Sequence, residues 1–140
     1  MAVAHLTRRI TFAAAHRYRR PEWSDAENER AFGLCARPNY HGHTYCCDVT
    51  VSGPIDDRTG MIVDLADLDR VLEREVRARF DHANINLDIP EFADGKLVPT
   101  GENLARFFFD AVRRGMDGRV TVSEVRVAED ATLSAVYRGE

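Results

Sequence analysis

The chain has 140 residues, a length that fits one domain with a modest core. Its formal net charge of -4 argues against a nucleic-acid-binding protein and against binding to an anionic membrane surface. No apolar run of about 18 residues is present, so no membrane-spanning helix is predicted. The first residues, Met1 to Leu6, do not resemble a signal peptide, and the three cysteines are an odd number. We therefore expect a protein of the reducing cytoplasm.

The first predicted strand runs from Thr7 to His16, because Ile, Phe and Thr alternate there with other residues. Ile10, Phe12 and Ala14 share the parity of His16, so this histidine is in phase with the apolar face. A long polar connection, residues 17–34, follows. Within it, Ser24 and Glu27 have the spacing of a capping box and predict a short helix. A connection of this length is either functional or a surface excursion.

A second strand is predicted from His41 to Ser52 and is ended by Gly53 and Pro54. Residues at i and i+2 of a strand point to one face, so His41 and His43 share the face of Tyr45 and Cys47. If the two strands pair, these imidazoles converge with that of His16. Three histidines with an open fourth position are typical of a catalytic zinc site. The alternative is that His41 and His43 are polar loop residues and that His16 merely ends its strand.

Two helices are predicted next. Asp64 is a plausible N-cap for a helix that continues to Phe80 with apolar residues at helical spacing. The adjacent pair Asp81 and His82 follows this helix and is either a charge relay, in which the carboxylate fixes the imidazole tautomer, or a polar helix exit. Thr100 is the predicted N-cap of the second helix, and Gly115 is its predicted end.

The last two predicted strands run from Arg119 to Ala128 and from Thr132 to Tyr137. Glu129 shares the parity of the apolar residues Val125 and Val127. A carboxylate on that face is costly when it is buried without a partner, and a ligand with N–H groups could supply one. The alternative is a solvated strand end.

The predicted order is therefore strand, strand, helix, helix, strand, strand. This order favours an α+β fold in a single domain, residues 1–140, with an antiparallel sheet and two helices on one face. Such a sheet has two open edges, which need covering. Oligomerisation into a closed barrel would cover them, and so would a helix or a loop.

Five motifs, in order and spread over nearly the whole chain, resemble the 6-pyruvoyl-tetrahydropterin synthase and 6-carboxy-tetrahydropterin synthase family. They are Phe12-x-Ala14-Ala15-His16-Arg17, Cys35-x5-His41-Gly42-His43-x-Tyr45, Asp81-His82-x-Asn84-x-Asn86, Pro99-Thr100-x-Glu102-Asn103 and the late Glu129. The resemblance implies the tunnelling fold, in which trimers stack into a homohexamer with a barrel core. It also implies active sites at subunit interfaces and the substrate 7,8-dihydroneopterin triphosphate.

The resemblance also implies roles for eight residues. The zinc ligands are His16, His41 and His43. The catalytic residues are Cys35, as the base, with Asp81 and His82 as the relay pair. Glu129 anchors the pterin ring through its N–H groups, and Thr100 lies in a segment that lines the pterin pocket.

The implied activity is that of a zinc-dependent lyase that releases triphosphate and forms a 6-substituted tetrahydropterin. Two features disagree on the product. The six-residue step from Cys35 to His41 resembles the 6-pyruvoyl branch, whereas the arginine-rich composition, with Lys96 as the single lysine, favours the 6-carboxy product of queuosine biosynthesis. The rival hypothesis is a non-catalytic zinc-containing module of the same fold that binds a pterin or a purine. Simple binding, however, needs neither a base nor a relay.

Overall fold

The computed structural model describes all 140 residues. Five strands are present: β1 (Val3–His16), β2 (His41–Pro54), β3 (Ala83–Asn84), β4 (Thr121–Asp130) and β5 (Leu133–Tyr137). The α-helices are α1 (Asp25–Phe32), α2 (Leu65–Leu72), α3 (Ala78–Phe80), α4 (Ile85–Asp88) and α5 (Gly101–Met116). A π-helical turn, Glu73–Arg77, joins α2 to α3, and two short 3-10 turns are Gly33–Ala36 and Pro90–Phe92. None of the helices combines the length and the apolar character that crossing a membrane requires.

The strands form one sheet in the order β3-β1-β2-β4-β5. The four long strands are antiparallel, as predicted, and β1 pairs with β2 along its whole length, from Val3 opposite Pro54 to His16 opposite His41. The sheet is nevertheless mixed, because β3 runs parallel to β1 beside Ala14 and Ala15. The chain leaving α3 is held there by Asp81 Oδ1, which accepts a hydrogen bond from the Ala13 N–H at 2.9 Å. The prediction of a purely antiparallel sheet is therefore wrong at this edge.

The element order also differs from the predicted series, while the α+β class is confirmed. Helix α1 lies between the first two strands, and β3 and α4 lie between the two longer helical segments. Half of the capping box predicted at the start of α1 is present: Ser24 Oγ accepts from the Glu27 N–H at 3.1 Å. The Glu27 carboxylate accepts from the Ser24 hydroxyl and not from its backbone N–H, so the reciprocal half is missing. The helix and its N-cap thus make up half of residues 17–34.

Helix α5 does not end at Gly115, as predicted, but continues to Met116, where Asp117 in the left-handed conformation closes it. Gly115 instead allows close approach to α2, because a Cβ atom there would lie 2.6 Å from Val71 Cγ1. The glycine is therefore required by helix packing and not by the helix end.

The core lies between one face of the sheet and the helices α2, α3 and α5. Its centre is aromatic: Phe12 stacks on Tyr45 with ring centroids 4.8 Å apart, and Phe80 meets Phe108 edge to face, also at 4.8 Å. Aromatic pairs of this kind fix the relative position of the strands and helices that carry them. The opposite face of the sheet is polar and carries the Arg9–Asp48 ion pair. The aromatic centre thus holds the ends of β1 and β2 that carry the histidines.

Candidate metal centre and the adjoining cavity

Three histidines meet where β1 ends and β2 begins. His16 pairs with His41 across the two strands, and His43 lies opposite Ala14. One nitrogen from each of the three rings lies within 4.8 Å of the others. His16 is fully buried, and His41 and His43 are half-buried. The structure therefore brings the predicted triad together within a sheet and not on a loop.

The orientation of the His16 ring is set by its neighbours. Its Nδ1 lies 2.8 Å from the Pro99 carbonyl oxygen and 3.0 Å from Tyr45 Oη. Because a carbonyl oxygen only accepts, Nδ1 carries the hydrogen, and Nε2 keeps the lone pair that a metal could bind. The Tyr45 hydroxyl also lies 3.4 Å from this Nε2. Sequence reasoning missed both contacts, although the parity that Tyr45 shares with His43 was a usable signal.

Burial favours the neutral form of the His16 and His41 imidazoles, which is the form that binds metals. Desolvation lowers the pKa of His16 to about 4, and the hydrogen bond with Pro99 opposes this effect only in part. Desolvation, followed by the nearby His43, lowers the pKa of His41 as well. At neutral pH the rings of His16 and His41 are therefore suited to act as ligands.

Glu129 is buried beside this triad, with 7% of its surface exposed, so the alternative of a solvated strand end is wrong. Its Oε2 lies 3.7 Å from His43 Nε2, and its Oε1 lies 4.0 Å from His16 Nε2. The Tyr18 hydroxyl donates to Oε1 at 2.8 Å. Burial, followed by this hydrogen bond, raises the pKa of Tyr18, which keeps the hydroxyl protonated as the donor.

The donor set fits a divalent cation. Three imidazoles and a buried carboxylate are ligands that zinc accepts. In addition, His43 Nε2 is buried and has no hydrogen-bond partner within the chain. Buried polar atoms without a partner are rare in folded proteins, and a bound cation satisfies a ring nitrogen of this kind. The residues present therefore match the metal expected from the sequence.

A cavity of about 310 Å³ adjoins Glu129. It is lined by nine residues, which come from the start of α5 and from the β4–β5 hairpin, together with Tyr18: Tyr18, Gly101, Glu102, Val127, Glu129, Leu133, Ser134, Ala135 and Val136. Thr100 does not line it. Thr100 Oγ1 caps α5, as predicted, by accepting from the Asn103 N–H at 3.1 Å. The cavity wall thus includes Glu129, one of the two predicted substrate-binding residues, and Gly101, which directly follows the other, Thr100.

A larger cavity, of about 690 Å³, lies along residues 17–38. It contains three arginines, Arg17, Arg19 and Arg37, but also the carboxylates of Asp25 and Glu29. None of the predicted site residues lines it. We therefore take the smaller cavity, beside Glu129, as the candidate substrate site.

Cys35 lies in the 3-10 turn just before β2 and is half-buried. Its carbonyl oxygen accepts from the Tyr18 N–H at 2.7 Å, which ties this turn to the end of β1. Desolvation and then the charge of Glu129 raise the pKa of the Cys35 thiol. A positive charge near the thiol would lower this pKa, whereas the charge that acts on it within the chain is negative.

Asp81 and His82 form the predicted pair, with Asp81 Oδ2 3.1 Å from His82 Nδ1. His82 adopts a left-handed backbone, at φ +62°, and its side chain is 84% exposed. A non-glycine residue in this region is uncommon, and it is often associated with function. Neither residue has a hydrogen bond or ion pair with the three histidines, Cys35 or Glu129. The structure therefore brings the metal triad, Glu129 and Cys35 into one region and leaves the relay pair outside it.

Comparison with known proteins agrees with this geometry. The family model described as 6-pyruvoyl tetrahydropterin synthase matches residues 5–140. The human 6-pyruvoyl tetrahydrobiopterin synthase is 42% identical over 137 residues, covering 98% of this chain and 92% of the human protein. The 6-carboxy-5,6,7,8-tetrahydropterin synthase of Bacillus subtilis (strain 168) is 34% identical over 111 residues, covering 76% of this chain and 71% of that protein.

A solved structure shows the same fold. The 6-pyruvoyl tetrahydropterin synthase of Caenorhabditis elegans superimposes with a TM-score of 0.93 at 32% identity, covering 100% of this chain and 98% of that one. Sequence and fold agree over essentially the whole chain, so this protein belongs to the 6-pyruvoyl tetrahydropterin synthase family.

Proposed function

We propose that this protein is a zinc-dependent lyase that converts 7,8-dihydroneopterin triphosphate into a 6-substituted tetrahydropterin with loss of triphosphate. The observation that carries the proposal is the convergence of three imidazoles beside the buried Glu129, which lines the adjoining cavity. Relatives named as tetrahydropterin synthases, at up to 42% identity, support the pterin as substrate.

Separate groups of residues bind the metal and the pterin ring in this proposal. His16, His41 and His43 hold the zinc, which when bound supplies Lewis-acid activation of the hydroxyls on the substrate side chain. Glu129 accepts hydrogen bonds from the N–H and amino groups of the pterin ring, and the segment at Thr100 shapes the wall behind it. The adjoining cavity, at about 310 Å³, lies at the small end of the range for ligand pockets.

Cys35 removes the carbon-bound proton beside the hydroxyl carbon, and His82 moves protons during the tautomerisation that follows. Asp81 orients His82 through the contact between Oδ2 and Nδ1. Burial, followed by the charge of Glu129, raises the pKa of the Cys35 thiol in the free chain. Hydrogen bonding of the pterin to Glu129 spreads that negative charge, so substrate binding itself favours the thiolate.

We also propose that the protein is a cytoplasmic homohexamer built from two trimers. Both outer strands of the sheet are open: β3 covers only Ala14 and Ala15 of β1, and no strand covers β5. Because β1 and β5 run in opposite directions, β5 of one copy can pair antiparallel with β1 of the next, and repetition closes a ring. The exposed position of His82 supports a site that is shared between subunits.

Mass spectrometry of the products formed from 7,8-dihydroneopterin triphosphate by the zinc-loaded protein tests the function. The higher identity and coverage of the human relative favour 6-pyruvoyl-tetrahydropterin as the product. Formation of 6-carboxy-tetrahydropterin with acetaldehyde would instead assign the deazapurine branch. Unchanged substrate, with zinc bound, would overturn the synthase proposal and leave a pterin- or purine-binding module.

The Cys35→Ala variant separates chemistry from binding. We expect its kcat to fall at least about 100-fold, because a general base is lost, while its zinc content stays unchanged. Unchanged turnover in this variant would show that Cys35 is not the base.

A further inference from the structure

Glu129 carries a buried negative charge that no positive charge of the chain balances. Its carboxylate is buried, and the structure gives it no arginine or lysine partner. Its one hydrogen-bond donor is the Tyr18 hydroxyl, on Oε1. A buried carboxylate is unfavourable unless it is paired with positive charge. A cation near Oε2 would therefore stabilise the carboxylate in the substrate-free protein.

The histidines place such a cation within reach of Oε2. In a tetrahedral zinc site with ligands at about 2.0 Å from the metal, neighbouring ligand atoms are about 3.3 Å apart. Glu129 Oε2 lies 3.7 Å from His43 Nε2, and Oε1 lies 4.0 Å from His16 Nε2. Of the two, the separation that involves Oε2 is close to the spacing within one coordination shell, whereas Oε1 is the oxygen that accepts from Tyr18. Moreover, the His43 Nε2 atom that faces Oε2 is the buried nitrogen that has no other partner.

We propose that Glu129 Oε2 is the fourth metal ligand of the substrate-free protein. Tyr18 holds Oε1 and so selects Oε2 for the metal. The pterin part of the argument rests on the proposed function: if Glu129 also anchors the pterin ring, then ring and metal compete for one carboxylate. On binding the pterin ring, Glu129 would then leave the metal, and the hydroxyls of the substrate could take its place.

The backbone around Glu129 accommodates such a shift. The pairing of β4 with β5 changes register between Ala128, opposite Ser134, and Asp130, opposite Leu133. Glu129 is the extra residue at this irregularity and has no paired residue on β5. A bulge of this kind lets the side chain change direction while the hydrogen bonds between the strands on either side are kept.

Zinc affinity in the absence of any pterin tests the ligand. The variant Glu129→Gln keeps the size of the side chain and an oxygen for the Tyr18 hydroxyl, but it lacks the carboxylate. We expect its zinc Kd, measured by competition with a chromogenic chelator, to rise at least tenfold. The matched control is Glu102→Gln, which removes the same charge from the same cavity and has no contact with the histidines. Its zinc Kd should change less than twofold.

Replacing zinc with Co²⁺ tests directly whether Glu129 is a metal ligand, because the visible absorption of Co²⁺ depends on its ligands. The visible absorption bands of the Co²⁺-loaded protein should change in Glu129→Gln and stay unchanged in Glu102→Gln. Unchanged bands and Kd in Glu129→Gln would overturn the proposal. Equal zinc weakening in both variants would also overturn it, because that pattern indicates long-range charge and not ligation. Neither readout depends on turnover, so failure of the synthase activity is separately visible.

The wild-type protein offers a second test that needs no substitution. Unsubstituted pterin has the ring N–H groups but no side chain that could reach the metal. If the ring and the metal compete for Glu129, pterin should bind the metal-free protein severalfold more tightly than the zinc-loaded protein, and zinc should bind correspondingly more weakly in its presence. If pterin bound both forms with equal affinity while Glu129→Gln still weakened zinc binding tenfold, Glu129 would remain a metal ligand, and the proposed competition with pterin would be wrong.

Discussion

His16 is the most deeply buried titratable side chain of the metal site, and its burial makes the metal-free protein sensitive to acid. Its pKa in the folded state, about 4, lies below the ordinary value of 6.5. Between these pH values the unfolded chain therefore binds more protons. The contribution of His16 to stability is complete above about pH 6.5 and is lost as the pH falls towards 4, by up to about 3 kcal/mol.

Urea unfolding of the metal-free protein at pH 7.5 and at pH 4.5 measures this loss. The matched variant is His16→Asn, which cannot take up the proton. We expect the difference in unfolding free energy between the two pH values to be smaller in the variant. An equal difference in both proteins would assign the acid sensitivity to other groups.

The Tyr45 hydroxyl contacts the His16 ring, and this contact gives a second prediction for the metal site. The change Tyr45→Phe removes the oxygen 3.0 Å from His16 Nδ1 and keeps the ring stacked on Phe12. We expect zinc affinity to fall about tenfold, because partners behind a ligating histidine orient its ring. The unfolding free energy should fall by only about 1 kcal/mol. Tyr137→Phe, whose ring packs on Phe109 at a distance from the histidines, should leave zinc affinity unchanged.

Parity along the strands was enough to predict which residues form the metal site. His16, His41 and Glu129 share the apolar face of their strands, and antiparallel pairing makes such residues meet. Tyr18 could not be predicted in this way, because it lies beyond the end of β1 in a segment without a period. Its position depends on the hydrogen bond to the Cys35 carbonyl, a contact between segments that are distant in sequence.

At the scale of elements, Gly115 fixes the distance between α5 and α2. A methyl group at this position would lie 2.6 Å from Val71 Cγ1 and 2.9 Å from Arg74 Nη2. Alanine favours a helix by about 1 kcal/mol over glycine, but overpacking costs about 1–3 kcal/mol. We therefore expect Gly115→Ala to lower the unfolding free energy by about 1 kcal/mol.

Chemical denaturation measures this change. The control, Arg106→Ala, lies on the exposed side of the same helix and should stay within about 0.5 kcal/mol of the wild type. A Gly115→Ala protein more stable than the wild type would show that α2 and α5 separate readily.

Periodicity predicted the long elements better than their ends. The helical spacing that begins after Asp64 and the alternation before His16 both correspond to observed elements. The ends depend on contacts that no local pattern contains. β1 begins at Val3 because β2 extends to Pro54 opposite it, and β3 exists because Asp81 bonds to Ala13 on the edge of β1.

At the scale of the whole molecule, the open edge of β1 predicts how the assembly can be taken apart. The N–H and C=O of Ala13 both face the β3 side, so those of Thr11, two residues earlier, face the same open edge. Proline at position 11 removes an edge N–H that no bond within the chain uses. We expect Thr11→Pro to yield smaller species in sedimentation velocity with the far-ultraviolet circular dichroism retained.

Thr11→Ala is the control, because it alters the side chain and keeps the edge donor. An assembly of unchanged size in the proline variant would show that this edge does not carry the subunit contact.

The exposed position of Asp81 and His82 bears on how two differently altered chains would work together in one assembly. With sites shared between subunits, as proposed, a chain altered at His82 still offers intact histidines, and a chain altered at His41 still offers an intact relay. Two separately inactive proteins, unfolded and refolded together, should therefore regain part of the activity. A cell that carries both alleles would then be less defective than a cell with two copies of either one.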